Sequence, residues 1–365
     1  MKGRLSYSIL RMPLIYPFET SFGRQTERIP IIFRLEKEGI TGYTECVTDV
    51  DPFYSYESNS TVMPVIKSYL GKMVVEAKDP DEFMEAAELI KGHNMAKGAL
   101  EMLLWDHEAR KEGKPLHKLL GESKGYAEVG VSLGMESTEG LIAKVGNSVN
   151  MGYRRIKVKI KRGREVEILS AVRDAFPDIV LTADANSDYS MKDLDILKKI
   201  DRFNLEYIEQ PFDHDDLIYH SRLAKEIATP ICLDESITSP DRARKALEIG
   251  ACSVINIKPG RVGGLGCSLS IARIAREHGA HTWVGGMLET GIGRAYNVSL
   301  ASSAMIDYPG DTSPNSRYFA RDIVKNPFTM KEGRIVPSRE IGAGYIPDED
   351  VMEEYTVEKG VVCEW

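Results

Sequence analysis

Charged residues recur along the middle of the chain, each at the end of a short apolar stretch and each about 25 residues after the last. They are, in order, Lys159, Asp184, Glu209, Asp234 and Lys258. The stretch before the first, Ile156–Ile160, alternates apolar and basic residues as a β-strand does, so Lys157 and Lys159 point to the same side. A step of this length fits one strand, one helix and two loops. The five charges are therefore predicted to lie at the same end of successive parallel strands.

This repeat predicts an α/β fold built around a (β/α) barrel, beginning near Val129–Leu133 and ending with a strand near Ala304–Ile306. Short strands from Leu5 to about Thr48 and helices over Asp81–Gly113 precede the barrel. After Arg321 the repeat is lost. We therefore predict an α+β capping domain over residues 1–125, the barrel over 126–320, and a tail over 321–365 that returns to the capping domain.

The charged strand ends indicate an active site, because the C-terminal ends of barrel strands form the active-site face. Asp184, Glu209 and Asp234 would repel one another there unless a cation lay between them, and oxygen ligands suit Mg²⁺ or Mn²⁺. The alternative is that the charges are unrelated surface residues at strand ends. Their common register and their chemical types favour the site.

The lysines beside that predicted metal site suit proton transfer. A divalent ion on a substrate carboxylate would stabilise the charge that forms when the adjacent C–H loses its proton. Lys159 can accept this proton only when it is neutral, and Lys157 is expected to favour the neutral form as a like charge on the same strand face. Lys157 is also a candidate to bind the substrate carboxylate. Lys258 would approach from the far side, either protonating the opposite face or acting as a fixed cation.

Two segments near the N-terminus, Phe18–Gly23 and Asp51–Tyr56, are polar and aromatic at once. They are either ordinary connecting loops or a pair of flaps that close over a substrate. A third segment, Gly285–Gly293, matches no nucleotide-binding motif, but its backbone N–H groups could hold a carboxylate.

The formal net charge of −8 argues against nucleic acid or an anionic membrane as a partner. Residues 1–18 are interrupted by Arg11, Pro13 and Pro17, which is unlike a signal peptide or a membrane span. Five cysteines without CxxC spacing indicate reduced thiols in a cytoplasmic protein. We expect a small-molecule carboxylate as substrate and a homo-oligomeric assembly.

The motifs of the barrel closely resemble those of the enolase superfamily, in its muconate-lactonizing subgroup. They are Lys157-x-Lys159, Asp184-x-Asn186, Glu209-Gln210-Pro211, Asp234-Glu235-Ser236 and Lys258-Pro259-Gly260. Within the subgroup, Pro17-Phe18-x-Thr20-Ser21-Phe22-Gly23, Gly285-Gly286-Met287-x-Glu289-Thr290-Gly291 and Gly310-Asp311-Thr312-Ser313 resemble the o-succinylbenzoate synthase and N-succinylamino acid racemase family. The resemblance implies a modified barrel of the (β/α)7β type. Dipeptide epimerases of the subgroup resemble the chain less, because their Asp-x-Asp has no clear counterpart at Asp307-Tyr308-Pro309.

Carried over by position, the resemblance implies a role for each matching residue. Lys159 and Lys258 become the acid/base pair, and Asp184, Glu209 and Asp234 the ligands of Mg²⁺ or Mn²⁺. The candidate substrate contacts are Lys157, Ser132, Asn186, Gly286, Met287, Glu289, Thr290, Ser21, Phe22 and Tyr54.

Three functions remain open at this point. The first is o-succinylbenzoate synthase, in which Lys159 removes a proton, water leaves, and the product serves menaquinone synthesis. The second is an N-acylamino acid racemase that uses both lysines, and one enzyme could have both activities. The third is a non-catalytic binding protein that has kept the barrel.

Overall fold

The computed structural model describes residues 3–20, 23–134 and 137–365. The strands are β1 (Arg4–Leu10), β2 (Met12–Thr20), β3 (Gly23–Arg28), β4 (Ile31–Lys37), β5 (Ile40–Cys46), β6 (Ala127–Glu128), β7 (Gly130–Leu133), β8 (Arg155–Lys159), β9 (Leu181–Asp184), β10 (Ile208–Glu209), β11 (Ile231–Leu233), β12 (Val254–Ile257), β13 (His281–Val284), β14 (Arg334–Ile335) and β15 (Thr356–Glu364).

The α-helices are α1 (Asn59–Val65), α2 (Gly71–Glu76), α3 (Pro80–Ala87), α4 (Asn94–Lys111), α5 (Leu116–Leu119), α6 (Thr138–Asn150), α7 (Glu165–Ala175), α8 (Leu194–Ile200), α9 (Ile218–Leu223), α10 (Pro240–Glu248), α11 (Pro259–Val262), α12 (Leu265–Glu277), α13 (Gly291–Ala301) and α14 (Glu349–Tyr355). A π-helical turn spans Ile66–Leu70, and 3₁₀ turns span Met191–Asp193, Asp201–Phe203 and Asn315–Arg317. No helix of the described ranges is long and apolar enough to cross a membrane.

A parallel seven-stranded sheet forms the centre of the fold, in the order β13-β12-β11-β10-β9-β8-β7. Each strand pairs with the next along the chain, as expected when helices cover the outside of a curled sheet. Lys159 is the register partner of Asp184, and Asp184 is the register partner of Glu209. The constant spacing in the sequence therefore becomes a row of charges across neighbouring strands, and the predicted α/β barrel class is confirmed.

The segment 307–311 bridges the gap between β13 and the β6–β7 region. On the β13 side, the Asp311 N–H donates to the Val284 carbonyl at 2.9 Å. On the other side, the Gly310 N–H donates to the Glu128 carbonyl at 3.0 Å, and the Gly310 carbonyl accepts from the Gly130 N–H at 2.8 Å. The prediction of a strand at Ala304–Ile306 was wrong, because those residues form the turn after α13. A short apolar run does not distinguish a strand from a buried turn.

A second, antiparallel sheet has the order β15-β1-β4-β5. Strand β15 pairs with β1 from Arg4↔Glu364 to Leu10↔Thr356, so the end of the chain lies beside its beginning. Helix α4 packs against β5 on one side and against α11 of the barrel on the other. Of the predicted Phe18–Gly23 loop, Phe18–Thr20 belong to β2 and Gly23 begins β3, and Thr20 and Gly23 are register partners.

Candidate active site

A cavity of about 540 Å³ opens at the C-terminal ends of the barrel strands. Its wall includes Ser132, Lys157, Lys159, Asp184, Asn186, Asp234, Lys258, Gly286, Met287 and Tyr54. Among the described residues, Glu209, Glu289 and Thr290 do not line it. The candidates Ser21 and Phe22 lie outside the described residues. The structure thus brings most of the candidates around one space.

The ammonium group of Lys157 is held by three carboxylates. Its Nζ lies 2.8 Å from Glu209 Oε2, 3.0 Å from Asp311 Oδ2 and 3.4 Å from Asp184 Oδ2. Burial alone would lower the pKa of Lys157, but these three carboxylates raise it well above its ordinary value. The cationic form of Lys157 is therefore favoured by its own carboxylate partners. This differs from the expected environment, in which Lys157 acts mainly as a like charge upon Lys159.

Lys159 points into the same group of acids from the end of β8. Its Nζ donates to Asp184 Oδ2 at 3.0 Å and to Asn186 Oδ1. Asn186 has a positive φ of 42°, and its backbone N–H donates to Asp184 Oδ1 at 3.1 Å. This left-handed turn, which asparagine tolerates well, brings its side-chain oxygen back to the lysine.

Lys258 occupies the other side of the cavity, immediately after β12. Its Nζ donates to Asp234 Oδ2 at 2.8 Å and to the Tyr54 hydroxyl oxygen at 3.0 Å. Arg261, one turn further on, donates to Asp234 Oδ1 and to the Tyr54 hydroxyl oxygen. Strands β9, β10 and β11 separate Lys258 from Lys159 in the sheet. The two lysines therefore flank the carboxylates from opposite sides.

The three acids Asp184, Glu209 and Asp234 suit a hard divalent cation, because they offer oxygen ligands and their charges are buried. Asp184 and Asp234 are each 2% exposed and Glu209 is fully buried, and buried carboxylates require positive partners. Lys157 Nζ lies within 3.4 Å of oxygen atoms of both Asp184 and Glu209, so these two carboxylates already share one cation. The ligand atoms of Asp184, Glu209 and Asp234 do not all lie within 4.8 Å of one another in this structure. Asp234 instead contacts Lys258 and Arg261.

One further group of possible metal ligands occurs among the described residues. Ligand atoms of Asp213, His214 and Asp215 lie within 4.8 Å of one another, but all three side chains are exposed. Exposed acidic groups commonly form such sets without an ion. This turn lies outside the cavity wall.

The turn at residues 286–290 is held by protein carboxylates. The Met287 N–H donates to Glu289 Oε1 at 2.8 Å, and the Thr290 N–H donates to Glu45 Oε2 at 2.9 Å. These two backbone donors, expected as substrate contacts, are therefore already bonded within the protein. Glu289 also accepts from Asn297 at 2.7 Å and lies behind the wall that Gly286 and Met287 form.

Both predicted flap regions contribute to the cavity wall. Phe18 lies on β2, while Phe53 and Tyr54 lie in the segment after β5. Arg28 at the end of β3 forms a partly buried ion pair with Asp49, two residues before the second segment. The β2–β3 hairpin is therefore tied to the chain that leads into that segment.

Residues that sequence reasoning did not single out include Asp311 and Tyr318, which line the cavity, and Arg261, which donates to Asp234 and Tyr54 beside it. Arg261 could have been noticed because it follows Lys258 by three residues at the start of a helix. Asp311 entered the sequence analysis only as part of the Gly310-Asp311-Thr312-Ser313 motif, without a role of its own. Burial alone would raise the pKa of Asp311, but Lys157 and Arg155 hold it below its ordinary range.

Fold and cavity together define an α/β-barrel enzyme whose mouth carries buried acids flanked by two lysines. Two family models match the chain: "Mandelate racemase / muconate lactonizing enzyme, N-terminal domain" over residues 7–121, and "Enolase C-terminal domain-like" over residues 140–351. The chain belongs to the enolase superfamily and, within it, to the family of o-succinylbenzoate synthases and N-succinylamino acid racemases.

Three relatives illustrate this membership. The N-succinylamino acid racemase of Thermus thermophilus is 44% identical over 92% of each chain. The o-succinylbenzoate synthase of Geobacillus stearothermophilus is 43% identical over 98% of this chain and 97% of the relative. A solved enolase-superfamily member from Listeria innocua superposes with a TM-score of 0.95 at 37% identity, covering 99% of both chains.

Proposed function

We propose that this protein removes a proton next to a substrate carboxylate in a reaction that depends on a divalent metal. Its main reaction is dehydration to o-succinylbenzoate, which would serve menaquinone biosynthesis. The alternative, or second, activity is racemisation of N-succinylamino acids. Relatives of nearly equal identity carry the two names, which supports both activities.

The position of the two lysines is the observation that carries this proposal. Lys159 and Lys258 extend from β8 and β12, with buried carboxylates between them. A substrate carbon held between two such lysines exposes one face to each. The same arrangement therefore suits abstraction from one face and protonation of the other.

Asp184, Glu209 and Asp234 would hold the divalent cation, Mg²⁺ or Mn²⁺. When bound, such a cation stabilises the negative charge that develops on the substrate carboxylate during proton removal. Lys157 binds and orients that carboxylate through its ammonium group. Gly286, Met287 and Ser132 line the cavity around the remainder of the substrate.

Lys159 accepts the proton from the carbon next to the carboxylate. In the dehydration, proton removal leaves an enediolate, beside which Lys258 acts as a fixed cation. Collapse of the enediolate then expels the neighbouring hydroxyl group, which takes the proton that Lys159 accepted and departs as water. In the racemisation, Lys258 instead gives its proton to the opposite face of the same carbon. Tyr54 and the β2–β3 hairpin cover the cavity and limit the access of water.

Two assays on the purified protein test the proposal. Loss of the cyclohexadiene chromophore in the presence of Mg²⁺ is expected for the synthase, and entry of solvent deuterium at the α-carbon of N-succinyl-phenylalanine is expected for the racemase. Removal of metal with EDTA should abolish both, and added Mg²⁺ should restore them. Absence of turnover in both assays with Mg²⁺ or Mn²⁺ would refute the proposal.

We also propose a cytoplasmic location, a homo-oligomeric assembly and the domain division at residues 125/126 and 320/321. The location is supported by five free cysteines, three of them buried. Size-exclusion chromatography with light scattering tests the assembly, and limited proteolysis tests the domain boundaries.

A further inference from the structure

We propose that Asp311 is a positioning residue, which fixes the ammonium group of Lys157 independently of the acids that would hold the divalent cation. This inference rests on the proposed metal site. Asp311 lies in the segment that closes the barrel, where its backbone N–H donates to the Val284 carbonyl at 2.9 Å. Its side chain is 15% exposed and lines the cavity.

The carboxylate of Asp311 bridges two buried cations. One oxygen atom, Oδ1, accepts from Arg155 Nη2 at 2.8 Å, and the other, Oδ2, lies 3.0 Å from Lys157 Nζ. The Arg155 side chain is 1% exposed and also donates to the Pro309 carbonyl at 3.0 Å. Both the Arg155 guanidinium and the Lys157 ammonium lie over the Trp283 ring, at 4.7 and 4.9 Å from its centroid. Arg155 and Trp283 therefore hold Asp311 and Lys157 in one fixed arrangement.

The three carboxylates around Lys157 are not equivalent. Glu209 and Asp184 lie within the sheet and are the acids proposed for the divalent cation. Asp311 reaches Lys157 from the closing segment, and its other ion-pair partner is Arg155. When Glu209 and Asp184 bind a cation, Asp311 remains to compensate the charge of Lys157.

Without the Asp311 charge, the buried Lys157 ammonium must take its compensation from Glu209 and Asp184. It then competes for those acids with the divalent cation, because an uncompensated charge is costly at a buried site. It also moves away from the position in which it binds the substrate carboxylate. Loss of Asp311 should therefore weaken metal binding and raise KM, through Lys157 in both cases.

A double-mutant cycle on the full-length protein tests this coupling. Mn²⁺ binding is measured by calorimetry without substrate for the wild type, Asp311→Asn, Lys157→Met and the double variant. Asp311→Asn should weaken Mn²⁺ binding about tenfold, a coupling usual for contacting charges. The same change in the Lys157→Met background should alter binding less than twofold. Equal effects in both backgrounds would overturn the proposal, because they would mean that Asp311 acts only as a nearby negative charge.

Two further variants keep the test decisive. Asp307→Asn changes the same residue type on the same segment, but Asp307 contacts His281 and the Thr282 N–H instead. It should bind Mn²⁺ within twofold of the wild type. Asp311→Glu keeps the charge and should recover most of the affinity. If Asp311→Asn does not fold, two other results would overturn the proposal. One is a double variant, Asp311→Asn with Arg155→Met, that keeps the wild-type Mn²⁺ affinity and KM. The other is an Asp311→Glu variant that binds Mn²⁺ no more tightly than Asp311→Ser.

Failure of this inference differs from failure of the proposed function. A wild-type protein that binds no Mn²⁺ and turns over neither substrate would refute the function. A wild-type protein that binds Mn²⁺ while Asp311→Asn binds it equally well would refute the role of Asp311 alone. With substrate, Asp311→Asn should raise KM about tenfold and change kcat less than KM, since it disturbs carboxylate binding.

Discussion

The hydroxyl oxygen of Tyr54 lies 3.0 Å from the Nζ atom of Lys258, although one residue follows β5 and the other follows barrel strand β12. The same oxygen accepts from Arg261 Nη1 at 2.9 Å, and the Tyr54 ring centroid is 4.6 Å from Lys258 Nζ. A segment predicted as a flap thus supplies a direct partner of a candidate acid/base lysine. The Asp51–Tyr56 segment and the environment of Lys258 are therefore linked by one side chain.

Tyr54→Phe should lower kcat/KM about 5- to 30-fold, because it removes a hydroxyl that accepts from two charged donors, each bond being worth about 1 kcal/mol or more. Steady-state kinetics in either proposed assay measures the loss. Tyr56→Phe is the matched control, since Tyr56 lies two residues away and is 59% exposed. Equal kinetics for Tyr54→Phe and the wild type would show that this contact has no role in turnover.

Asp234→Asn should reduce activity more than about a thousandfold and weaken Mg²⁺ binding, because an amide oxygen without charge is a poor substitute in an all-acid metal site. Asp215→Asn serves as control in the exposed group of possible ligands, where its side chain is 83% exposed. The control should keep its activity and its Mg²⁺ dependence within twofold. If Asp215→Asn lost activity and Mg²⁺ binding while Asp234→Asn kept both, the metal site would lie at the exposed turn instead.

Glu101 should make the stability of the protein fall as pH rises from about 4.5 to 7. Burial raises the pKa of this carboxyl from 4.5 to about 7, although the N–H groups of Leu265, Gly266 and Trp105 donate to it. The folded state therefore binds a proton that the unfolded state has released, so stability decreases through this range and then levels off. The contribution is at most about 3 kcal/mol.

Denaturant unfolding between pH 4.5 and 8 measures this effect. Glu101→Gln should flatten the slope below pH 7, since the amide does not titrate. Glu112→Gln, at an exposed position beyond the same helix, should leave the slope as in the wild type. Identical pH profiles for all three proteins would contradict the assignment.

Gly98→Ala should destabilise the protein by about 1–3 kcal/mol through overpacking. A Cβ at Gly98 would lie 2.9 Å from the Gly264 backbone nitrogen and 3.1 Å from the Gly260 carbonyl oxygen, so α4 would have to separate from α11 and the turn that follows it. Gly146→Ala is the control, because its Cβ would make an ordinary 3.4 Å contact with Phe176. There, helix propensity predicts a neutral or stabilising change of up to about 1 kcal/mol. Thermal unfolding of both variants distinguishes these outcomes.

The sequence predicted the barrel because its period was visible. Each strand end carried a charge at nearly constant spacing, and Lys159, Asp184 and Glu209 are register partners in the sheet. The segment 307–311, which closes the barrel, has no charged residue at that spacing before it and no repeat of its own. It is held by isolated backbone hydrogen bonds around Gly310, and no alternation of residue types marks it.

The environment of Lys157 was not predictable for the same reason. Glu209 comes from two strands away, and Asp311 reaches Lys157 only after the barrel has closed. Spacing along the chain placed Lys157 beside Lys159 and Glu209 at the same end of the sheet, but it gave no sign of Asp311 as a further partner. Likewise, nothing in the Gly285–Gly293 sequence indicated that Glu45 would bind the Thr290 N–H from another sheet.

Stereospecific deuterium exchange tests the central claim most directly, namely that Lys159 and Lys258 serve opposite faces of one carbon. The D and L forms of N-succinyl-phenylalanine are incubated in D₂O with Mg²⁺ and with Lys159→Ala or Lys258→Ala, and α-deuterium is followed by NMR. Each variant should lose racemisation yet exchange the α-proton of one enantiomer only, and the two variants should exchange opposite enantiomers. Exchange of the same enantiomer by both variants, or racemisation retained in either, would contradict the account.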